Sequence, residues 1–160
     1  MNWQFLFLSA NGRIGQKDFW IGWLILFVAA IVLGMIPFLG MIISIALIYP
    51  QVCIFSKRLH DFGKTGWLAA VPFAIGVVAM VFAMMAGGAA MFGVASGNEA
   101  AAAGGAMAAL AGAGLVMMLA FVAWIGFTLW VGLTKGDPAA NKYGAPTPSM
   151  FGGSTTPTTV

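Results

Sequence analysis

The sequence predicts an all-α membrane protein with four transmembrane helices in two hairpins. Three observations lead to this prediction. Hydrophobic residues make up 61% of the 160-residue chain and charged residues only 7%, against about 25% charged residues in soluble domains. Several uncharged apolar runs are long enough to cross a bilayer. The Lys and Arg residues all fall outside those runs, in segments that a four-span topology places on one side of the membrane.

The chain begins with a short apolar stretch around Trp3, which is too short to span and suits the membrane interface. A break at residues 9–12 separates it from the first charged flank. No basic residue precedes Arg13 and no small-residue cleavage site follows the apolar stretch, so we expect no cleaved signal peptide. The first predicted span covers residues 19–36, roughly 27 Å of helix at about 1.5 Å per residue.

The second predicted span covers residues 39–55. Only Pro37 and a few apolar residues separate it from the first, so the two should form a tight helical hairpin. Pro50 lies inside this span and lacks a backbone N–H, which predicts a kink or a looser turn. Residues 57–67 are then expected to form a polar cytoplasmic loop, with Trp67 at the return to the membrane.

The third and fourth predicted spans cover residues 67–85 and 110–133, joined by the Ala/Gly-rich segment 86–109 on the far side. Small residues at four-residue spacing, as at Gly104, Ala108 and Gly112, allow close helix approach. A fifth span would carry Glu99 into hydrocarbon at a cost of about 2.5–3.5 kcal/mol, and would move two lysines to the opposite face. We therefore expect one domain over residues 1–148 with both termini cytoplasmic, followed by a disordered tail at 149–160.

Charge and cysteine content exclude some classes of function. The formal charge of +3 fits topology and anionic headgroups better than nucleic acid. One Cys and one His make a disulfide impossible within the chain and a metal or haem site improbable. No cofactor, metal ion or nucleic-acid partner is expected. The expected partners are membrane lipids and a larger membrane complex or a homo-oligomer.

Three polar stretches together resemble a known family. They are Gly12-Arg13 with residues 17–20, the ten residues 58–67 (RLHDFGKTGW), and residues 141–144 (NKYG) followed by Pro146. In this order and spacing they resemble the domain of unknown function 805 family of small bacterial inner-membrane proteins. The resemblance implies a multi-pass protein of the bacterial inner membrane, and it implies no particular activity. Gln16 departs from the family pattern, in which a basic residue is usual near the first span.

The predicted topology places these three stretches at one membrane face, where they could form a single site. The candidates for binding a headgroup or another anionic ligand are Arg13, Arg58, His60, Asp61, Lys64, Asn141 and Tyr143. Arg offers a planar fork to phosphate and Lys a point charge. The candidate turn and interface residues are Gly12, Gly63, Gly66, Trp67 and Gly144. An alternative interpretation is that the same residues only anchor the topology and lock the loop.

The sequence leaves three functions open. The first is a non-enzymatic scaffold, accessory subunit or lipid-contacting module. The second is a small oligomeric transporter or channel, although coupled transport usually needs an ionisable residue at membrane depth. The third is a membrane enzyme using His60 and Asp61 as an acid–base pair, although no nucleophile motif accompanies them. No catalytic residue is therefore assigned.

Overall fold

The computed structural model describes residues 3–37 and 39–147, and within these ranges all regular structure is helical. The elements are α1 (Trp3–Leu8), α2 (Gln16–Gly34), α3 (Leu39–Asp61), a 3-10 turn (Gly66–Ala69), α4 (Ala70–Ala95), α5 (Glu99–Met107), a π-helical segment (Ala108–Ala113) and α6 (Gly114–Leu133). The tail predicted at residues 149–160 lies outside the described residues.

In the part of the chain that the structure describes, four helical stretches are long and apolar enough to cross a membrane. They are Gln16–Gly34, Ile42–Asp61, Gly66–Ala95 and Glu99–Leu133. The last stretch combines α5, the π-helical segment and α6. The predicted all-helical class with four span-length helices is thereby confirmed, whereas the orientation of the termini and the hairpin arrangement in a membrane stay predictions.

The chain divides into two compact units. The first unit comprises Met1–Ala69 and Leu129–Val160, and the second comprises Ala70–Thr128. Every Lys and Arg of the sequence lies in the first unit, and Glu99 is the one formally charged residue in the second. The polar chemistry of the protein is therefore concentrated in the first unit.

The apolar core of the first unit is built from α1, α2 and α3. Leu6 of α1 is buried and packs at Gly22 of α2, where an added Cβ would lie 3.3 Å from its Cδ2 atom. Phe19 and Phe55 are fully buried, and their rings meet edge to face at 5.2 Å. The short first helix is thus packed into the unit on one side, while Trp3 on the same helix is half exposed.

Helix α3 is longer than the second predicted span, which ends at residue 55. It continues through Pro50 and ends at Asp61. Residues 57–61 are therefore the last turn of a helix and not part of a loop. Gly63, at a φ of 75°, ends it by donating from its N–H to His60 O at 3.2 Å, while Lys64 N–H reaches Leu59 O at 2.9 Å. This pair of hydrogen bonds is the Schellman motif, which needs a left-handed residue that glycine supplies without strain.

The second unit contains a close helical hairpin of α4 and α5. Its turn lies at residues 96–98, where Asn98 caps α5 by accepting a hydrogen bond from Ala101 N at 3.0 Å. The helices approach at Gly93 and Gly105, where an added Cβ would overlap the facing helix backbone. By contrast, an added Cβ at Gly104 would meet nothing within 4 Å. The sequence predicts close approach of helices in this part of the chain. The contact between α4 and α5 is made at Gly105 and not at Gly104.

Candidate functional site

Helices α1, α3 and α6 all have their C-terminal ends in the first unit, and side chains from other elements cap them. A helix C-terminus has unpaired carbonyls and an effective charge of about −0.5. At the end of α1, the fully buried Lys57 donates from Nζ to Phe5 O and, at 2.7 Å, to Leu6 O. Tyr49 adds a hydrogen bond from its hydroxyl to Leu8 O at 3.0 Å. Side chains of α3 therefore satisfy three of the carbonyls that end α1.

The end of α6 is capped in the same way from two directions. The buried Gln16, at the start of α2, donates from Nε2 to the carbonyls of Gly132 (3.3 Å), Leu133 (3.0 Å) and Thr134 (3.4 Å). Arg58 of α3 donates from Nε to Val131 O at 3.2 Å and from Nη2 to Thr134 O. The start of α2 and the end of α3 are thus tied to the end of α6.

Asp61 lies at the centre of this arrangement, at the end of α3. Its Oδ1 accepts hydrogen bonds from Arg13 Nε at 3.0 Å and from the Thr147 hydroxyl at 2.6 Å. Its Oδ2 accepts a hydrogen bond from Arg58 Nη1. Asp61 and Arg58 are at most 1% exposed, and Arg13 is 6% exposed. The buried carboxylate of Asp61 therefore joins Arg13, 48 positions before it in the sequence, to Thr147, 86 positions after it.

Arg13 uses all five N–H donors of its guanidinium. Besides Nε, its Nη1 donates to Ala139 O (2.9 Å) and Gly144 O (3.2 Å). Its Nη2 donates to Asp61 O (2.9 Å) and Asp137 O (2.7 Å). Arg13 thereby fixes the C-terminal segment against the end of α3, and it keeps no donor for a further ligand.

The C-terminal segment adds its own contacts to α3. Asp137 N–H donates to Asp61 O at 2.8 Å. Asn141 donates from Nδ2 to His60 O and to Asp137 Oδ2, both at 3.0 Å, and its Oδ1 accepts from Tyr143 N at 2.9 Å. These bonds hold a segment without regular secondary structure in one conformation.

His60 is oriented by two neighbours, neither of which is Asp61. Its Nδ1 lies 3.1 Å from Gly12 O, and because a carbonyl oxygen only accepts, this nitrogen must carry the proton. Its ring stacks on Tyr143 with centroids 3.7 Å apart and planes 8° from parallel. Lys142 Nζ lies 4.9 Å from the centroid of the Tyr143 ring. His60 thus joins all three polar stretches through its ring.

We refer to these interacting side chains as the polar cluster: Arg13, Gln16, Lys57, Arg58, His60, Asp61, Asp137, Asn141, Tyr143 and Thr147. Its buried charges are the three cations Arg13, Lys57 and Arg58 and the carboxylate of Asp61, an excess of two positive charges. Three helix C-termini at about −0.5 each offset most of that excess. The buried charges are therefore close to balanced within the cluster itself.

The structure brings together six of the seven predicted ligand-binding residues. Lys64 is the exception, because its side chain is exposed on the turn after α3. The predicted turn residues Gly12, Gly63 and Gly144 have φ angles of 89°, 75° and 138°. At Gly66 an added Cβ would lie 2.9 Å from His60 Nε2, and Trp67 is 83% exposed. Ligand binding by the predicted set stays a prediction.

Several residues of the cluster were missed by sequence reasoning. Lys57 is one of them: its charge predicts topology, and nothing in the sequence pattern indicates that it joins Tyr49 at the end of α1. Gly136 is a close-approach position, because an added Cβ there would overlap the Asp61 carboxylate. Nothing in the sequence indicates that Gly136, Asp137 and Thr147 fold back onto α3. Within the described ranges no group of three or more His, Cys, Asp or Glu residues could hold a metal ion.

A chain with four span-length helices and a buried polar cluster capping helix ends belongs to the class of multi-pass helical membrane proteins. A family model described as "Protein of unknown function (DUF805)" matches residues 7–94, more than half of the chain, and the protein belongs to that family. The match includes the first two polar stretches and ends before the third. Searches of curated proteins and of solved structures returned no match.

Proposed function

We propose that the protein is a non-enzymatic integral membrane module that serves as a scaffold or accessory subunit in the bacterial inner membrane, with both termini cytoplasmic. One observation carries this proposal. The polar groups of its family-like stretches are engaged with one another, as the guanidinium of Arg13 and the carboxylate of Asp61 illustrate. The hydrogen-bonding groups of these side chains are used in intramolecular contacts that stabilise the fold.

A ligand or substrate site needs donors and acceptors that a ligand can reach. Arg13 has no unused N–H, and Arg58 and Asp61 are enclosed by protein. A phosphate would have to displace helix-end carbonyls, each of which would then be left unpaired. This cost favours a structural role for the cluster over ligand binding by its interior.

The arrangement of His60 also supports a non-enzymatic role. An acid–base pair would need Asp61 to orient the imidazole, as a carboxylate does in hydrolytic triads. Instead Asp61 accepts from two arginines and a threonine, and His60 faces Gly12 O and Tyr143. The two neighbouring residues therefore have separate partners.

Affinity purification with chemical crosslinking from native membranes tests this proposal. A tagged full-length chain, expressed at its native level, should recover the same membrane-protein partner or a homo-oligomer in defined stoichiometry. A tagged multi-pass protein of another family serves as the control for non-specific recovery. Recovery of an isolated monomer, or turnover of a lipid-linked substrate that His60→Ala abolishes, would contradict the proposal.

A further inference from the structure

The seven basic residues divide into two groups by burial. Arg13, Lys57 and Arg58 are buried in the polar cluster. The other four, which we call the lysine rim, are exposed and comprise Lys17, Lys64, Lys135 and Lys142.

Each member of the lysine rim adjoins a residue that contacts the polar cluster or belongs to it. Lys17 follows Gln16, and Lys142 lies between Asn141 and Tyr143. Lys135 lies between Thr134, whose carbonyl accepts from Arg58 and Gln16, and Gly136, which lies against Asp61. Lys64 follows Gly63, where an added Cβ would lie 3.1 Å from Asp137 Oδ2. Three segments, namely the start of α2, the turn after α3 and the C-terminal segment, thus carry exposed lysines next to residues of one buried cluster.

The positive charge of the rim is only partly neutralised by the acidic residues of the same unit. In the described part of the chain both ion pairs are made by buried arginines with Asp61, and neither involves a lysine. The remaining acids of the first unit are Asp18 and Asp137, both half-buried, and Asp137 accepts a hydrogen bond from Asn141. The surface of this unit therefore keeps an excess of two positive charges.

The first unit also carries exposed apolar side chains. Trp67, three residues after Lys64, is 83% exposed. On α1, Trp3 and Leu8 are more than half exposed, and Lys57 ties this helix to the last turns of α3. Indole rings favour the boundary between headgroups and acyl chains. Lysines and indoles together indicate a surface at headgroup depth.

We propose that the lysine rim binds the headgroups of anionic phospholipids. The inference rests on the proposed function as a membrane module and names one class of its partners. The ligand chemistry is a phosphate monoanion on a lipid, attracted by several point charges near the membrane surface. The exposed apolar groups of the same unit favour a lipid over a free anion, because they would contact acyl chains while the lysines contact the phosphate.

Native mass spectrometry of the full-length protein in detergent tests this binding. The protein is titrated with an equimolar mixture of phosphatidylglycerol and phosphatidylcholine with identical chains. We expect a preference for phosphatidylglycerol on the order of threefold to tenfold. Replacing all four rim lysines by Gln should reduce the preference to about one, and replacing them by Arg should retain it. Glu99→Gln, an exposed charge change in the second unit, should leave it unchanged.

The inference would be overturned if the native chain showed no preference for phosphatidylglycerol, or if the fourfold Gln variant retained that preference. Displacement of the lipid by excess inorganic phosphate would also overturn it, because it would indicate a free-anion site. A thermal unfolding temperature equal to that of the native chain confirms that the fourfold variant is folded. If that variant does not fold, Lys64→Gln and Lys142→Gln alone should each lower the preference, and two unchanged values would overturn the inference. Partner recovery is measured separately, so failure of lipid binding and failure of the scaffold role are distinguishable.

Discussion

Asp61 is the residue on which the polar cluster depends most. Burying an ion pair is favourable only when the remaining hydrogen-bonding capacity of both ions is satisfied. Here the carboxylate accepts from Arg13, Arg58 and Thr147, and the arginines use their other donors on helix-end and loop carbonyls. Each guanidinium nitrogen and each oxygen of the carboxylate has a hydrogen-bond partner, which explains how two arginines and a carboxylate can be buried together.

Gly136→Ala is expected to destabilise the protein. The new methyl group would occupy the space of the Asp61 carboxylate, and overpacking of this kind costs about 1–3 kcal/mol. Denaturation in mixed detergent micelles measures the change in the free energy of unfolding. Gly104→Ala is the matched control, because its added methyl would meet nothing within 4 Å. Equal effects of the two substitutions would contradict the close contact at Gly136.

At the residue scale, the sequence predicted Arg13, Arg58 and Asp61 as site residues, but it did not predict the hydrogen bonds that the two arginines make to helix ends. Arg13, Arg58 and Asp61 could be identified because charged residues are rare in this chain. Gln16 could not be identified, because its side chain is neutral and binds backbone carbonyls. Gly136 could not be identified either, because its role is to leave space for the Asp61 carboxylate.

Among the elements, α1 is held by two side chains of α3, because Tyr49 donates to Leu8 O and Lys57 makes the larger set of contacts. Lys57 donates to two of its terminal carbonyls, and its Nζ lies 4.4 Å from the centroid of the Phe5 ring. Hydrogen bonds from a charged donor contribute about 1.5–3 kcal/mol each. A six-residue helix is too short to be stable without such contacts.

Lys57→Met should therefore release α1 while leaving α2 and α3 intact. Hydrogen exchange of the α1 amides, followed by mass spectrometry, should accelerate at least about tenfold. Lys17→Met removes an exposed lysine and serves as the control. Unchanged protection of α1 in Lys57→Met would show that its apolar contacts alone hold it in place.

The hairpin of α4 and α5 tests the role of glycine at helix contacts. Gly93→Ala or Gly105→Ala should push the two helices apart, because each added Cβ would overlap facing backbone. Gly88→Ala, at a position with nothing within 4 Å, should be neutral or stabilising. Amide exchange in Glu99–Met107 reports the difference. Similar exchange in all three variants would contradict the observed packing.

At the element scale, helix existence was more predictable than helix length. The turn at residues 96–98 could be recognised because Asn98 and Glu99 are a cap and a first-turn acid. The continuation of α3 to Asp61 could not, because residues 57–61 look like a polar loop and are buried only through contacts with α1, α6 and the C-terminal segment.

Over the whole molecule, the basic residues combine two physical roles. Their confinement to the first unit fits the positive-inside bias, and three of them also cap helix ends. Composition therefore predicted the membrane class, and the lengths of the apolar runs together with the placement of charges predicted four span-length helices. These features could not predict that the cationic segments would be interlocked by hydrogen bonds.

Cysteine labelling tests the proposed topology. In a Cys53→Ser background, which removes the sole and buried thiol, Glu99→Cys should react with a membrane-impermeant maleimide in intact spheroplasts. Lys142→Cys should react only after the membrane is opened. Labelling of both positions from the same side would contradict the four-span arrangement with cytoplasmic termini.

A double-mutant cycle between Arg13 and Asp61, 48 residues apart in sequence, tests most directly whether the polar cluster is buried and self-satisfied. Stabilities of the native chain, Arg13→Gln, Asp61→Asn and the double variant are measured by denaturation in mixed micelles. We expect each single substitution to cost about 3–5 kcal/mol, and the double variant to cost less than the sum by at least about 1 kcal/mol. Additivity within about 0.5 kcal/mol would contradict a buried, self-satisfied cluster.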